Sequence, residues 1–242
     1  MPHFYIPPEN IRDSHFEITG SQVHHLVHVR RRAVGSELSL FDGTGKTYLG
    51  RIENISKNKI TGVIIEEKRV SAAKVSIILY HSVPKGDRFD WLIEKSAELG
   101  ISRVNPIICS RSLIKEISAH KVSRWQRLSE SACQQCSRPD IMEVGEPLEF
   151  ESSLGLVKPD ELSIIGWESE ELGTLKKAFR EKSKFSRINI FIGPEGGFET
   201  REIKAARDRG VAPVTLGKRI LRVETAGLIA SVLALNEYGE FE

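Results

Sequence analysis

The sequence is short of several things. It has three cysteines in 242 residues, a small odd number that fits a reducing cytoplasm rather than a disulfide scaffold. It has no long apolar run, and the longest helix-like stretch, Gly227 to Leu235, is far too short to span a bilayer. The opening MPHFYIPPENIRD carries early prolines and charges but no apolar core, so a secretory signal is not expected. Neither sign of charge dominates: 35 Lys and Arg face 33 Asp and Glu, for a net charge of +2. Only a local basic patch can therefore argue for a nucleic-acid partner. Internal repeats and low-complexity tracts are also missing. What is present, 40% apolar and 28% charged residues, suffices for a proper core and is too apolar for disorder. The length allows one domain or two.

The rhythm of the chain changes once. Up to about residue 70 it is β-rich: HFYI, SHFEI, SELSLFDG and KTYLGRIENI are short extended patterns broken by PP, DG and TG turn signals. One helix, roughly Gln22 to Arg31, interrupts them. Strands this short and close predict a small barrel or compact β domain. After EEKRVSAAK, VSIILY reads as a buried strand, DRFDWLIEKSAELG as a helix stopped by Gly100, and RVNPIIC as the next strand. This βαβ unit is the signature of a parallel sheet. A helix around Ser123 to Cys136 follows, then the runs LSIIG and INIFIG. A helix after Glu199, the short VTLG and a last helix from about Thr225 complete the pattern. The expected boundary lies near residue 72.

Three segments carry chemistry. In FIGPEGGFETREI, apolar residues enter a turn holding Pro194, Gly196 and Gly197, and a helix follows. Such junctions usually favour anions. Here, however, a carboxylate, Glu195, stands in the turn and no Lys-Ser/Thr pair follows it. PKGDRFDW puts Lys85, Gly86, Asp87 and Arg88 beyond the carboxyl end of a strand, the ligand-bearing edge of a parallel sheet, and Arg111 and Ser112 reach the same rim. In LGKRILRVETAGLIASVLAL, two arginines flank Ile220 and Leu221 and an apolar helix follows, with Ala226, Gly227, Ala230, Ser231 and Ala234 as a small-residue ridge. The ridge reads either as tight packing within the chain or as a seat for a ligand or a second subunit. Arg30, Arg31 and Arg32 serve equally as a helix C-terminus or as a phosphate patch. His24 and His28, at i and i+4, and the CQQC pair lack the further ligands a metal needs, so no metal is expected.

Taken together, IGPEGGF, LGKRILRVETA, PKGDRFDWLIEKSAELG and CQQCSR resemble the ribosomal RNA small-subunit methyltransferase E family, and HHLVHVRRRAVGSELSLFDGTG resembles its N-terminal domain. The resemblance implies S-adenosylmethionine-dependent methylation of N3 of a uridine in 16S rRNA, within the small ribosomal subunit or its precursor. It implies a small PUA-like β-barrel over residues 1–72 that binds RNA. Residues 73–242 would form a SPOUT-type α/β domain with a parallel sheet and a C-terminal trefoil knot, two copies pairing as a homodimer in the cytoplasm, without metal or membrane.

It places the cofactor on Ile192, Gly193, Pro194, Glu195, Gly196 and Gly197, and on Leu216, Gly217, Ile220, Leu221, Arg222, Glu224, Thr225 and Ala226. Arg222 is the expected catalytic cation, with Glu195 as a second catalytic candidate. Arg30, Arg31, Arg32, Lys85, Arg88, Arg111 and Arg138 are the expected RNA contacts. The carboxylate in the glycine turn then makes sense, because this cofactor has no phosphate and its sulfonium and ammonium groups are cationic. The chain departs from the family at His3, Gln134 and Val223.

Overall fold

The structure, a computed structural model, describes residues 3–71, 73–181 and 185–241, with only the backbone at Ser21. The chain divides into two compact units. One comprises Met1–Ala72 with Glu130–Ile141, the other Ala73–Ser129 with Met142–Glu242.

In the first unit six strands form one sheet: β1 (His3–Tyr5), β2 (Ile11–Arg12), β3 (His15–Thr19), β4 (Glu37–Phe41), β5 (Lys46–Ile55) and β6 (Lys59–Arg69). Their order is β1-β4-β5-β6-β3-β2, antiparallel except for β1 beside β4. Side chains alternate between faces, so Phe16 and Ile18, Leu38 and Leu40, Ile52 and Ile60 turn inward and meet Phe4 and Leu26 in one core. Of the Thr-Gly pairs that signal turns in the sequence, Gly20 and Gly45 do bend the chain at positive φ. Thr61-Gly62 does not; it lies inside β6. Glycine is required there for space, since a Cβ would come within 2.1 Å of the Arg51 carbonyl oxygen and 2.6 Å of the Phe16 ring. The helix expected to reach Arg31 is α1 (Ser21–His24) continued by a π-helical turn, His25–Val29. It stops because Arg31 takes a left-handed φ of 53°.

The second unit is α/β. Its strands are β7 (Ser76–Ser82), β8 (Arg103–Ile108), β9 (Glu143–Val144), β10 (Leu148–Glu149), β11 (Leu162–Gly166), β12 (Arg187–Ile192) and β13 (Ala212–Val214). They run in the order β10-β8-β7-β12-β11-β13, with β9 beside β8, and every pair is parallel. Its helices are α2 (Arg88–Leu99), α3 (Ala119–Gln135), α4 (Phe150–Leu154), α5 (Leu175–Glu181), α6 (Thr200–Asp208) and α7 (Val223–Glu237). The end of α3, from Glu130, belongs to the first unit.

Parallel strands covered on both faces need apolar residues throughout, and β7 and β12 are buried almost end to end. One face packs Ile78, Tyr80, Phe191 and Ile165 on Phe150, Phe198 and Ile203, with Tyr80 stacked on Phe191 at 4.4 Å. On the other face α7 contacts both β7 and β12. A Cβ at Gly227 would stand 2.7 Å from the His81 ring, and Ala230, Ser231 and Ala234 are buried as well. The small-residue ridge thus packs α7 onto its own sheet. Among the described residues no helix is long and apolar enough to cross a membrane.

Candidate active site

Parallel strands bring their carboxyl ends to one edge. There the loops after β11, β12 and β13 enclose a cavity of about 490 Å³, with Arg88 of α2 and Ala226 of α7 in its wall. That size is ordinary for a small-molecule site.

The β12 loop is the glycine turn. Gly197 N–H donates to the Pro194 carbonyl at 2.9 Å, and Gly197 holds a φ of +70°, which favours glycine. A Cβ there would also lie 2.2 Å from Oε1 of Glu168. The side of Gly196 that would bear a Cβ faces Arg111, whose Nη1 donates to the Gly196 carbonyl at 2.9 Å. A reciprocal capping box between Glu199 and Glu202 starts α6. The buried Glu202 also accepts from Ser110 N–H at 2.9 Å, which ties the loop after β8 to the same helix.

Glu195 points back to α2. Its Oε1 accepts from Arg88 Nη2 at 3.1 Å and from Lys85 N–H at 3.4 Å. Arg88 Nη1 in turn lies 3.7 Å from Glu224, a carboxylate left 9% exposed in the first turn of α7. Glu224 Oε2 has no hydrogen-bond partner among the described residues, so Arg88 is the cation that compensates it. Arg88 therefore joins the glycine turn to the start of α7.

The β13 loop runs from Thr215 to Arg222. Gly217 has a φ of +111°. Ile220 is 90% exposed although it lines the cavity, so its apolar surface is left for a ligand to cover. Arg222 is the N-cap residue of α7, and its carbonyl accepts from Ala226 N–H at 2.8 Å. Its side chain is exposed on the cavity wall and pairs with no carboxylate among the described residues.

Beneath this loop His81 is fully buried, with Nδ1 2.7 Å from the Ser82 carbonyl oxygen and Nε2 3.1 Å from that of Val223. A neutral ring has one N–H and can donate to only one of them. Two facing carbonyls favour the charged ring, but burial outweighs them and pushes the pKa down to about 4.

The cavity gathers twelve of the expected cofactor residues: Ile192 to Gly197, Leu216, Gly217, Ile220, Leu221, Arg222 and Ala226. Glu224 and Thr225 stand behind the lining. Of the expected RNA contacts, Lys85 and Arg111 are exposed near the rim, while Arg88 is in the wall. Arg30 and Arg31 are exposed on the first unit and Arg32 is partly buried. Arg138 is only 9% exposed and pairs with Asp140 at 2.6 Å, so it is not a surface cation.

Sequence reasoning missed the β11 loop, Gly166, Trp167 and Glu168, together with Phe198, Thr215, Lys218 and Arg219. LSIIG is a visible strand, but the sequence does not tell that it lies between β12 and β13. Of the cysteines, Cys133 is buried and Cys136 exposed, and burial pushes the Cys109 thiol pKa up. Among the described residues no group of three or more His, Cys, Asp or Glu is placed to hold a metal ion.

Residues 71–235 match the model of an RNA methyltransferase domain, and residues 18–65 that of an RNA methyltransferase PUA domain. The ribosomal RNA small subunit methyltransferase E of Bacillus subtilis (strain 168) is 30% identical over 225 residues, 89% of this chain and 87% of that protein. The chain belongs to the methyltransferase E family. A solved methyltransferase E from Neisseria gonorrhoeae, bound to S-adenosyl methionine, superposes with a TM-score of 0.88 at 31% identity, covering 100% of both chains. A Legionella pneumophila chain solved with the cofactor SAM gives 0.82 at 28% identity, covering 98% of this chain and 97% of that one. The methyltransferase match lies almost wholly on the parallel-sheet unit, and the PUA match falls within the six-stranded one. This member of the methyltransferase E family has its glycine turn and its LGKRILRVETA segment on two sides of one cavity.

Proposed function

We propose that the chain is an S-adenosylmethionine-dependent methyltransferase acting on N3 of a uridine in 16S rRNA of the small ribosomal subunit. The observation that carries this is the cavity itself, where a glycine turn, an apolar slot and the exposed Arg222 meet at the carboxyl edge of the sheet.

The residues fit the cofactor. Ile192, Leu216, Ile220 and Leu221 supply apolar wall for a purine ring, and Glu195 gives the lining an acidic group suited to a cation. When bound, the cofactor supplies an electrophilic methyl group carried on a sulfonium. The chain's residues then have to deal with the substrate's proton. Uracil N3–H is a weak acid and must lose its proton to solvent before or as N3 takes the methyl group, so negative charge builds on the ring as the proton leaves. Arg222, free of carboxylate partners among the described residues and standing at the start of α7, meets that charge as a hydrogen-bond donor. Glu195 is held by Arg88, so its first role is to brace the turn, with its charge still favourable to a cationic ligand.

The same reading assigns Arg30, Arg31 and Arg32 to phosphate contacts on the first unit, and Lys85 and Arg111 to the rim. It includes a homodimer in the cytoplasm. Ile229 and Leu233 are 40% and 47% exposed at i and i+4 on α7, and Trp91 on the neighbouring α2 is 46% exposed, an apolar face that a second copy would cover. It includes the trefoil knot, supported by a chain that leaves the edge strand β13 and returns through α7 over β12 and β7.

Nucleoside mass spectrometry of rRNA from cells with and without the protein tests the activity. Loss of 3-methyluridine from small-subunit rRNA is expected. Loss of a ribose-methylated nucleoside instead would overturn the assignment.

A further inference from the structure

Resting on that functional reading, we infer that Glu168 is a specificity-determining residue whose carboxylate receives the vicinal diol of the nucleoside part of the cofactor. Two acidic side chains line the cavity, Glu168 and Glu195. Glu195 is already engaged by Arg88 and by Lys85 N–H. Glu168 is exposed and has neither an ion pair nor a hydrogen bond among the described residues.

The loop around it, in contrast, is held on both sides. Trp167 N–H donates to the Val214 carbonyl at 3.0 Å, and Glu170 N–H to the Trp167 carbonyl at 3.2 Å. Glu170 Oε1 accepts from the N–H groups of Leu172 and Gly173 at 3.0 and 2.9 Å, and its Oε2 from Arg207 at 3.1 Å. Arg207 also lies over the Trp167 ring. The hydrogen bonds to Glu170, the largest cause, and Arg207 hold its pKa down, so it keeps its charge and its grip on the loop. A braced loop that presents one unpartnered carboxylate to a cavity is preorganised for a ligand.

Position selects which part of the ligand. Two residues before Glu168, the face of Gly166 meets Ile192 and Leu216 side chains at 3.2 and 3.5 Å from where a Cβ would be. These are walls of the apolar slot. On the other side the Glu168 carboxylate leans over Gly197 of the glycine turn. An acceptor pair directly beside the slot for the base faces the sugar attached to that base. A carboxylate after a parallel strand accepting ribose hydroxyls is a known solution in other α/β nucleotide sites.

Calorimetry on the full chain tests this with S-adenosylmethionine, with 5′-methylthioadenosine, which keeps the ribose but lacks the amino-acid cation, and with 2′-deoxy-5′-methylthioadenosine. Glu168→Ala is expected to weaken the first two ligands by a similar factor, about ten- to a hundredfold for hydrogen bonds to a charged group. It should leave the already weak 2′-deoxy ligand nearly unchanged, and Glu168→Gln should lose less than Glu168→Ala. Loss confined to S-adenosylmethionine would assign Glu168 to the sulfonium or the ammonium group and overturn the inference, as would unchanged affinity for all three. If the wild-type chain binds neither S-adenosylmethionine nor 5′-methylthioadenosine, the functional reading itself falls.

Discussion

Arg88 lies 3.1 Å from Glu195 and 3.7 Å from Glu224, and so couples the glycine turn to the first turn of α7. The two carboxylates differ in kind. Glu195 is part of the cavity lining, whereas Glu224 is buried, with one oxygen lacking any hydrogen bond among the described residues. Removing Arg88 therefore leaves a buried charge without its cation. Arg88→Ala is expected to destabilise the chain by about 1–3 kcal/mol, discounted from the cost of breaking a fully buried pair because Arg88 is partly exposed. Adding Glu224→Gln should restore most of that stability without restoring the brace on Glu195. Urea unfolding of the two variants checks this, and equal stability of the single and double variants would contradict it.

His81 carries a pH prediction. Its folded pKa is pushed by burial from the ordinary 6.5 to about 4. Between those values the unfolded chain takes up a proton that the folded chain refuses. Stability is therefore intact above pH 6.5 and falls as the pH drops towards 4, by at most roughly 3 kcal/mol from this group. His81→Gln should flatten the part of the loss between pH 6.5 and 5, where few carboxylates titrate. An unchanged slope in thermal melts would place the acid sensitivity elsewhere.

Much of this was legible in the sequence, for physical reasons. The βαβ rhythm and the glycine turn show because a buried parallel strand and a positive φ each restrict composition. β6 did not, because Gly62 is chosen for space against Phe16, and a glycine signal does not distinguish packing from turning. The short β10, α4 and α5 have too few residues for a period to emerge. In the site, Arg222 and the turn stood in recognisable segments. Glu168 did not, because only the strand order brings the β11 loop beside Gly197. By sequence Arg88 is a rim cation, and only the folded geometry sets it between two carboxylates.

The first unit's basic cluster is testable through salt. Arg30 and Arg31 are exposed and Arg32 is partly so. Replacing all three by Ala should weaken binding to small-subunit rRNA and lower the slope of log affinity against log salt by up to about 2–3, since each phosphate contact releases roughly one counterion. An unchanged slope, measured by filter binding across a salt series, would leave these arginines as a helix terminus only.

The central claim is that Arg222 stabilises charge on a uracil ring next to the cofactor cavity. Single-turnover methyl transfer to small-subunit rRNA by wild type and Arg222→Ala, with product nucleosides identified by mass spectrometry, tests it most directly. Wild type should form 3-methyluridine. Arg222→Ala should be about a hundred- to a thousandfold slower, the usual cost of losing one preorganised donor, while S-adenosylmethionine affinity stays close to wild type. Raising the pH should recover part of the rate, because more uracil is then already deprotonated. A variant with the wild-type rate at every pH, or methylation at a position other than uridine N3, would contradict the account.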